Sequence, residues 1–134
     1  MPYENKRATK RIEDSFLVQY SVRAPIAVHV RVGNKPLDAV ATDISEGGMG
    51  ILTNLEIPAN TCLGLHFNIS NDAAIVQDDE FRTFDVEGDV RYALVEGNGF
   101  RLGMCFRQIE ESDRSFIEHY IQTTELKRLE PGPA

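Results

Sequence analysis

The chain of 134 residues contains no tryptophan and only two cysteines, Cys62 and Cys105. The two are far apart and outside any CxxC, which excludes a disulfide scaffold. Apolar runs are short; none approaches the roughly 18 residues that a membrane-spanning helix needs. The opening Met1-Pro2-Tyr3-Glu4-Asn5-Lys6-Arg7 has no apolar stretch behind its charges, so it does not read as a secretory signal. Reduced thiols and a cytoplasmic location are the expectation. No phosphate loop of the Walker kind is present, because Gly47-Gly48-Met49-Gly50 runs into Ile51-Leu52-Thr53 and not into a helix. The three histidines, His29, His66 and His119, are scattered and lack metal-ligand spacing. Asp85, Glu87 and Asp89 could pass for paired catalytic carboxylates, but their spacing fits the wet face of a strand. Neither a catalytic residue nor a metal is expected, and the sequence favours a binding module over an enzyme.

What the sequence does hold is an uneven charge. The formal net charge is −7, which disfavours general binding to nucleic acid or anionic membrane. Lys6, Arg7, Lys10 and Arg11 against Glu4 give residues 1–11 a net +3, leaving −10 for the rest. The sequence thus reads as a flexible basic arm over 1–11, a folded body over 12–128 and a frayed tail over 129–134 after Pro131-Gly132-Pro133.

The body has the period-two pattern of half-buried antiparallel strands. Phe16, Val18, Tyr20 and Val22 form one inward face; Val28, Val30 and Val32 read as another, with His29 and Arg31 outward. Leu63 to Ile69, Phe84 to Tyr92 and Phe100 to Phe106 continue the alternation. Gly33-Asn34 and Asn98-Gly99 suit tight turns, the second closing a hairpin. Residues 71–80 read as a polar loop. Phe116, Ile117, Tyr120, Ile121 and Thr124 then recur at helical spacing, which predicts a helix over about 113–128 with Ser112 and Asp113 as caps. Evenly spaced strands followed by one helix suggest a small barrel or sandwich with a helical plug.

Two short patterns stand out. Arg7-Ala8-Thr9-Lys10-Arg11 is an RxxxR just before the first strand. Asp43-Ile44-Ser45-Glu46-Gly47-Gly48 is a DxSxxG with an extra glycine before its last position. Alone, the second could be only a turn with an Asx hydrogen bond. In this order, inside a β-domain with a terminal helix, the sequence resembles the PilZ domain family, bacterial receptors for cyclic di-GMP. The resemblance covers roughly residues 6–124 and includes Leu102-Gly103-Met104-Cys105-Phe106, similar to the family's Gly-Val-x-Phe strand.

That resemblance implies a mainly β fold, a six-stranded antiparallel β-barrel with a C-terminal α-helix. It implies that the arm and the DxSxxG turn hold cyclic di-GMP between them on the outer surface, with no other cofactor. Arg7 and Arg11 would pair with phosphate oxygens or guanine acceptors, or stack on a purine. Asp43 could accept from the guanine Watson–Crick edge, Ser45 could donate at close range, and Gly47 and Gly48 would let backbone approach a ring. Lys6 resembles the family's selector between one nucleotide and a stacked pair. Lys10, His29 and Arg31 are additional candidate contacts. Ligand would order the arm and signal to an unidentified downstream protein, in motility or biofilm formation among other outputs. The expected assembly is a monomer or weak dimer, without nucleic acid or membrane insertion. Two alternatives remain at this stage: a nucleotide-independent PilZ-type adaptor, and a small-barrel binder of single-stranded nucleic acid, which the acidic charge opposes.

Overall fold

A computed structural model of the chain describes residues 11–70 and 81–129. The first strand, β1 (Arg11–Ala24), runs through a cis Ala24–Pro25 bond into a short helix, α1 (Ile26–Val32). Four strands follow on either side of the undescribed 71–80 segment: β2 (Leu37–Ser45), β3 (Gly48–Thr53), β4 (Cys62–Ser70) and β5 (Phe81–Glu96). The last strand, β6 (Gly99–Gln108), leads into the long helix α2 (Glu111–Leu129). The six strands close into an antiparallel barrel in the order β1-β2-β3-β6-β5-β4.

The inward faces follow from the alternation. Val18, Tyr20 and Val22 of β1, Leu63, Leu65 and Phe67 of β4, and Leu102, Met104 and Phe106 of β6 are buried. An aromatic ladder crosses the interior. Phe67 stacks on Phe84 at 4.9 Å, Phe16 leans on Phe67 at 5.6 Å, and Phe116 of α2 meets Phe84 edge-on at 5.9 Å. The ladder joins the helix to the barrel core, and Ile117, Tyr120 and Ile121 complete the buried stripe of α2. Tyr20 brings a hydroxyl into this core, where it shares a 2.6 Å hydrogen bond with Thr53; burial pushes the phenol upward.

Four local readings of the sequence need correction. Residues 26–32 form a helix and not a strand. It covers one end of the barrel with Val28 buried, while Ile26 and Val30 are exposed. His29 is therefore not on the outer face of a strand: its Nδ1 donates to the Val22 carbonyl at 2.8 Å and its Nε2 meets the Asn34 side chain at 2.6 Å. Gly33 has the positive φ, 104°, that a tight turn calls for, and uses it to cap that helix.

Second, the β5–β6 hairpin turns at Gly97-Asn98, one residue earlier than Asn98-Gly99. Glu96 pairs with Gly99, and Gly97 takes the positive φ, 60°, that the first position of a two-residue turn demands. Third, a register shift between Val90 and Tyr92 turns Tyr92 outward, where its ring lies across Gly103. Fourth, α2 begins at Glu111, so Ser112 and Asp113 lie inside its first turn. Both hold Arg82: Arg82 Nε donates to Asp113 Oδ1 at 2.9 Å and Arg82 Nη2 to Ser112 Oγ at 3.0 Å. The Glu110 carbonyl instead accepts the Arg114 N–H at 2.9 Å.

Candidate functional site

Opposite α1, at the barrel end that α2 covers, β1 begins and β2 turns into β3. Arg11 is the first described residue and belongs to β1, paired in register with Ser45. Lys6, Arg7 and Lys10 lie outside the described residues. Asp43 would point into the barrel if β2 alternated without interruption, because Ala39 and Ala41 are both buried. An irregularity prevents this. Ala41 pairs with Ile51 and Asp43 with Gly50, leaving Thr42 as an extra residue. On the other side β1 sets Asp14 and Ser15 against the same residue, between Phe16↔Ala41 and Glu13↔Asp43. The bulge turns Asp43 to the outer wall beside Thr42.

Two arginines converge on that carboxylate. Arg11 Nη1 donates to Asp43 Oδ1, and Arg11 Nη2 reaches Ser45 Oγ at 3.2 Å. The Thr42 hydroxyl donates to Asp43 Oδ2 at 3.0 Å and accepts from Arg101 Nη1 at 2.8 Å. Arg101 Nη1 is itself 3.7 Å from Asp43 Oδ2. The other two edges of the Arg101 fork grip Glu96, Nε to Oε1 at 2.7 Å and Nη2 to Oε2 at 3.0 Å. These hydrogen bonds hold Glu96 below the usual carboxylate range and raise Arg101. Asp43 keeps only 17% of its side-chain surface exposed.

The turn is built around Ser45. Its hydroxyl accepts the Gly47 N–H at 3.2 Å and donates to the Gly48 carbonyl at 3.4 Å. Gly48 lies so close to β6 that a Cβ there would run into the Met104 carbonyl. Gly47 is exposed, with open space where a Cβ would stand. Beside the turn an open depression of about 590 Å³ carries Val40 and Leu52 among Asp14, Thr42, Asp43 and Arg101. Register places Leu17, Val40 and Leu52 side by side on β1, β2 and β3. The site thus offers an anchored carboxylate, two guanidinium groups and an apolar strip on one wall.

Over residues 5–123 the sequence matches the PilZ domain family. The chain belongs to that family. Several solved structures share the fold at low identity. Bacillus subtilis inhibitor of motility, MotI/DgrA, is 15% identical with a TM-score of 0.73 over 92% of this chain. This chain spans about half of that protein, 53%. The PilZ domain of Escherichia coli YcgR, solved with c-di-GMP, is 17% identical with a TM-score of 0.59, covering 92% of this chain and 94% of that one. The K. pneumonia MrkH–c-di-GMP complex is 13% identical with a TM-score of 0.63, covering 91% and 52%. A search of curated protein sequences gives no significant match.

In this PilZ domain the structure brings Arg11, Asp43, Ser45 and the Gly47-Gly48 turn together. It separates His29 and Arg31 from them. Both lie on α1 at the far end of β1, roughly 30 Å along the strand, and Arg31 reaches the Glu56 carbonyl there. Only a strand at residues 26–32 would bring them near the motif, and that segment is a helix.

Three participants carry no motif signal. Thr42 and Arg101 reach Asp43 through the bulge and the β3–β6 register, neither of which a local pattern reveals. Gly50 makes room for the carboxylate: a Cβ there would stand 2.6 Å from Asp43 Oδ2. Glu46, which the motif leaves without a role, lies 3.6 Å from Arg114 of α2. A second recess of about 430 Å³ lies on the β1–β4–β5 wall. Its polar side chains engage one another, His66 Nδ1 hydrogen-bonding Asp85 at 2.6 Å and Arg23 pairing with Glu87 at 3.3 Å.

No helix among the described residues is long and apolar enough to cross a membrane. Among the same residues no cluster of histidine, cysteine and carboxylate side chains could hold a metal ion.

Proposed function

We propose that this PilZ domain is a receptor for cyclic di-GMP that binds the nucleotide on the outer wall around Asp43. The observation that carries this reading is the meeting of Arg11, Asp43 and Ser45 across β1 and β2. It joins the end of the RxxxR to the DxSxxG turn. A guanine presents N1–H and an N2 amine side by side, a pair that one carboxylate can accept; adenine offers no such pair. Arg11 suits a phosphodiester or the Hoogsteen acceptors of guanine. YcgR and MrkH, which share the fold, were solved with this nucleotide.

Arg7 completes the clamp in this reading, with Lys6 and Lys10 adding positive charge beside the phosphates. Ser45 acts chiefly by holding the turn, since the residue is only 3% exposed. Binding draws Arg11 from Asp43 toward the ligand and orders the arm, and a downstream protein reads that change. The function is binding and signalling, not catalysis.

The test is isothermal titration of cyclic di-GMP, with cyclic di-AMP and GTP as controls. Selective, saturable binding is expected, and the stoichiometry separates one nucleotide per chain from two. Arg7→Ala and Arg11→Ala should each cost ~1–3 kcal/mol, about five- to 150-fold in affinity. No heat and no thermal shift at high ligand would overturn the receptor reading in favour of a nucleotide-independent adaptor.

A further inference from the structure

Asp43 is shared between two guanidinium groups that have different fates in the reading above. Arg11 is the one a nucleotide would recruit. If it were the only support, the carboxylate would lose its orientation at the moment a guanine needs it. Arg101 stands on the other side, on β6, and is not free to follow. Its fork is closed on Glu96 by two hydrogen bonds, and its remaining edge reaches Thr42 at 2.8 Å. Because Thr42 accepts from Arg101, its proton is left to donate to Asp43 Oδ2, at 3.0 Å. The bulge puts this hydroxyl beside the carboxylate, and Gly50 leaves the space into which the carboxylate is held.

We infer that Arg101 and Thr42 are positioning residues for nucleotide recognition, a Glu96–Arg101–Thr42 relay that fixes the Asp43 carboxylate for the guanine edge when Arg11 departs. The inference rests on the cyclic di-GMP reading and deepens it. Specificity then depends on three residues outside both signature motifs. Neither Arg101 nor Thr42 needs to touch the ligand; each acts through Asp43.

A base analogue isolates that role. Cyclic di-IMP carries hypoxanthine in place of guanine; it keeps N1–H and the phosphates but lacks the N2 amine. Titration of both nucleotides into the wild type, Thr42→Val, Thr42→Ser and Arg101→Ala measures the discrimination directly. Thr42→Val is close to isosteric and removes only the relay hydroxyl. Thr42→Val and Arg101→Ala are expected to lose about ten-fold in cyclic di-GMP affinity, while cyclic di-IMP, which offers Asp43 one donor in place of two, loses less. Thr42→Ser restores the hydroxyl and should regain the discrimination lost in Thr42→Val. In an Asp43→Asn background, adding Thr42→Val should cost nothing further, because the two changes act through one group. Thermal melts verify that each variant is folded.

If both variants keep the wild-type affinity for both nucleotides, the inference falls while the receptor reading stands. Equal losses for both nucleotides would also overturn it, marking Arg101 as a general phosphate contact. A wild type that binds neither nucleotide removes the receptor reading, and the inference goes with it.

Discussion

Gly48 and Gly50 look alike in the sequence, two glycines separated by Met49, yet their neighbours give them opposite roles. A Cβ on Gly48 would meet backbone of β6, which cannot move without opening the β3–β6 pairing. A Cβ on Gly50 would meet the end of the Asp43 side chain, which can swing away. Gly48→Ala is therefore expected to destabilise the fold by ~1–3 kcal/mol or more, seen as a lower urea midpoint. Gly50→Ala should leave that midpoint nearly unchanged and instead lower cyclic di-GMP affinity, read by titration. The reverse result would mean that the carboxylate is not held where the structure puts it. At this scale part of the candidate site is legible in the sequence. Arg11, Asp43 and Ser45 stand in motifs whose order announces them. Thr42, Arg101 and Glu96 were not legible, because a bulge and a hairpin register bring them together and neither leaves a local pattern.

Among the elements, the strands that bury one face, parts of β1, β4 and β6, follow directly from alternation, as does the stripe of α2. Residues 26–32 show how that rule fails. Val28, Val30 and Val32 do alternate, but a seven-residue run is too short for period alone to separate strand from helix. The end of the barrel needs a cover. Pro25 and Gly33 bound a segment that supplies it by burying Val28, and tertiary context overrides β-propensity. Tyr92 fails for a related reason: one register shift moves it to the other face. α2 covers the opposite end more firmly. Ile117 is fully buried there, and Ile117→Ala should cost ~2–5 kcal/mol in denaturant unfolding. A value below 1 kcal/mol would mean that the helix is not an integral part of the core.

The whole molecule places its candidate site and its long helix at one end. Glu46 of the turn lies 3.6 Å from Arg114 in the first turns of α2. Near the other end of the helix, Arg128 Nη2 donates to the Glu13 carbonyl of β1 at 2.7 Å. Strand β1 also carries Arg11, so α2 is fastened to β1 and to the β2–β3 turn beside the candidate site. A change at Arg11 has a short physical route to the helix. Hydrogen exchange measured with and without cyclic di-GMP should show slower exchange in α2 on binding, and Glu46→Gln should diminish that difference with little loss of affinity. Unaltered protection of α2 in the wild type would exclude the helix as the reporting element.

The closed ring described at the outset also limits how any partner can engage this molecule. Among the described residues each strand has a hydrogen-bonded neighbour on both sides over part of its length, so none is an edge strand, and the backbone left for a visiting peptide to extend is confined to strand ends such as Arg11–Leu17 of β1. Recognition then falls mainly to side chains, which in the proposed reading are those on the wall beside Asp43. If the nucleotide moves Arg11 as proposed, that movement itself rewrites the surface a partner meets, with no distant surface having to open.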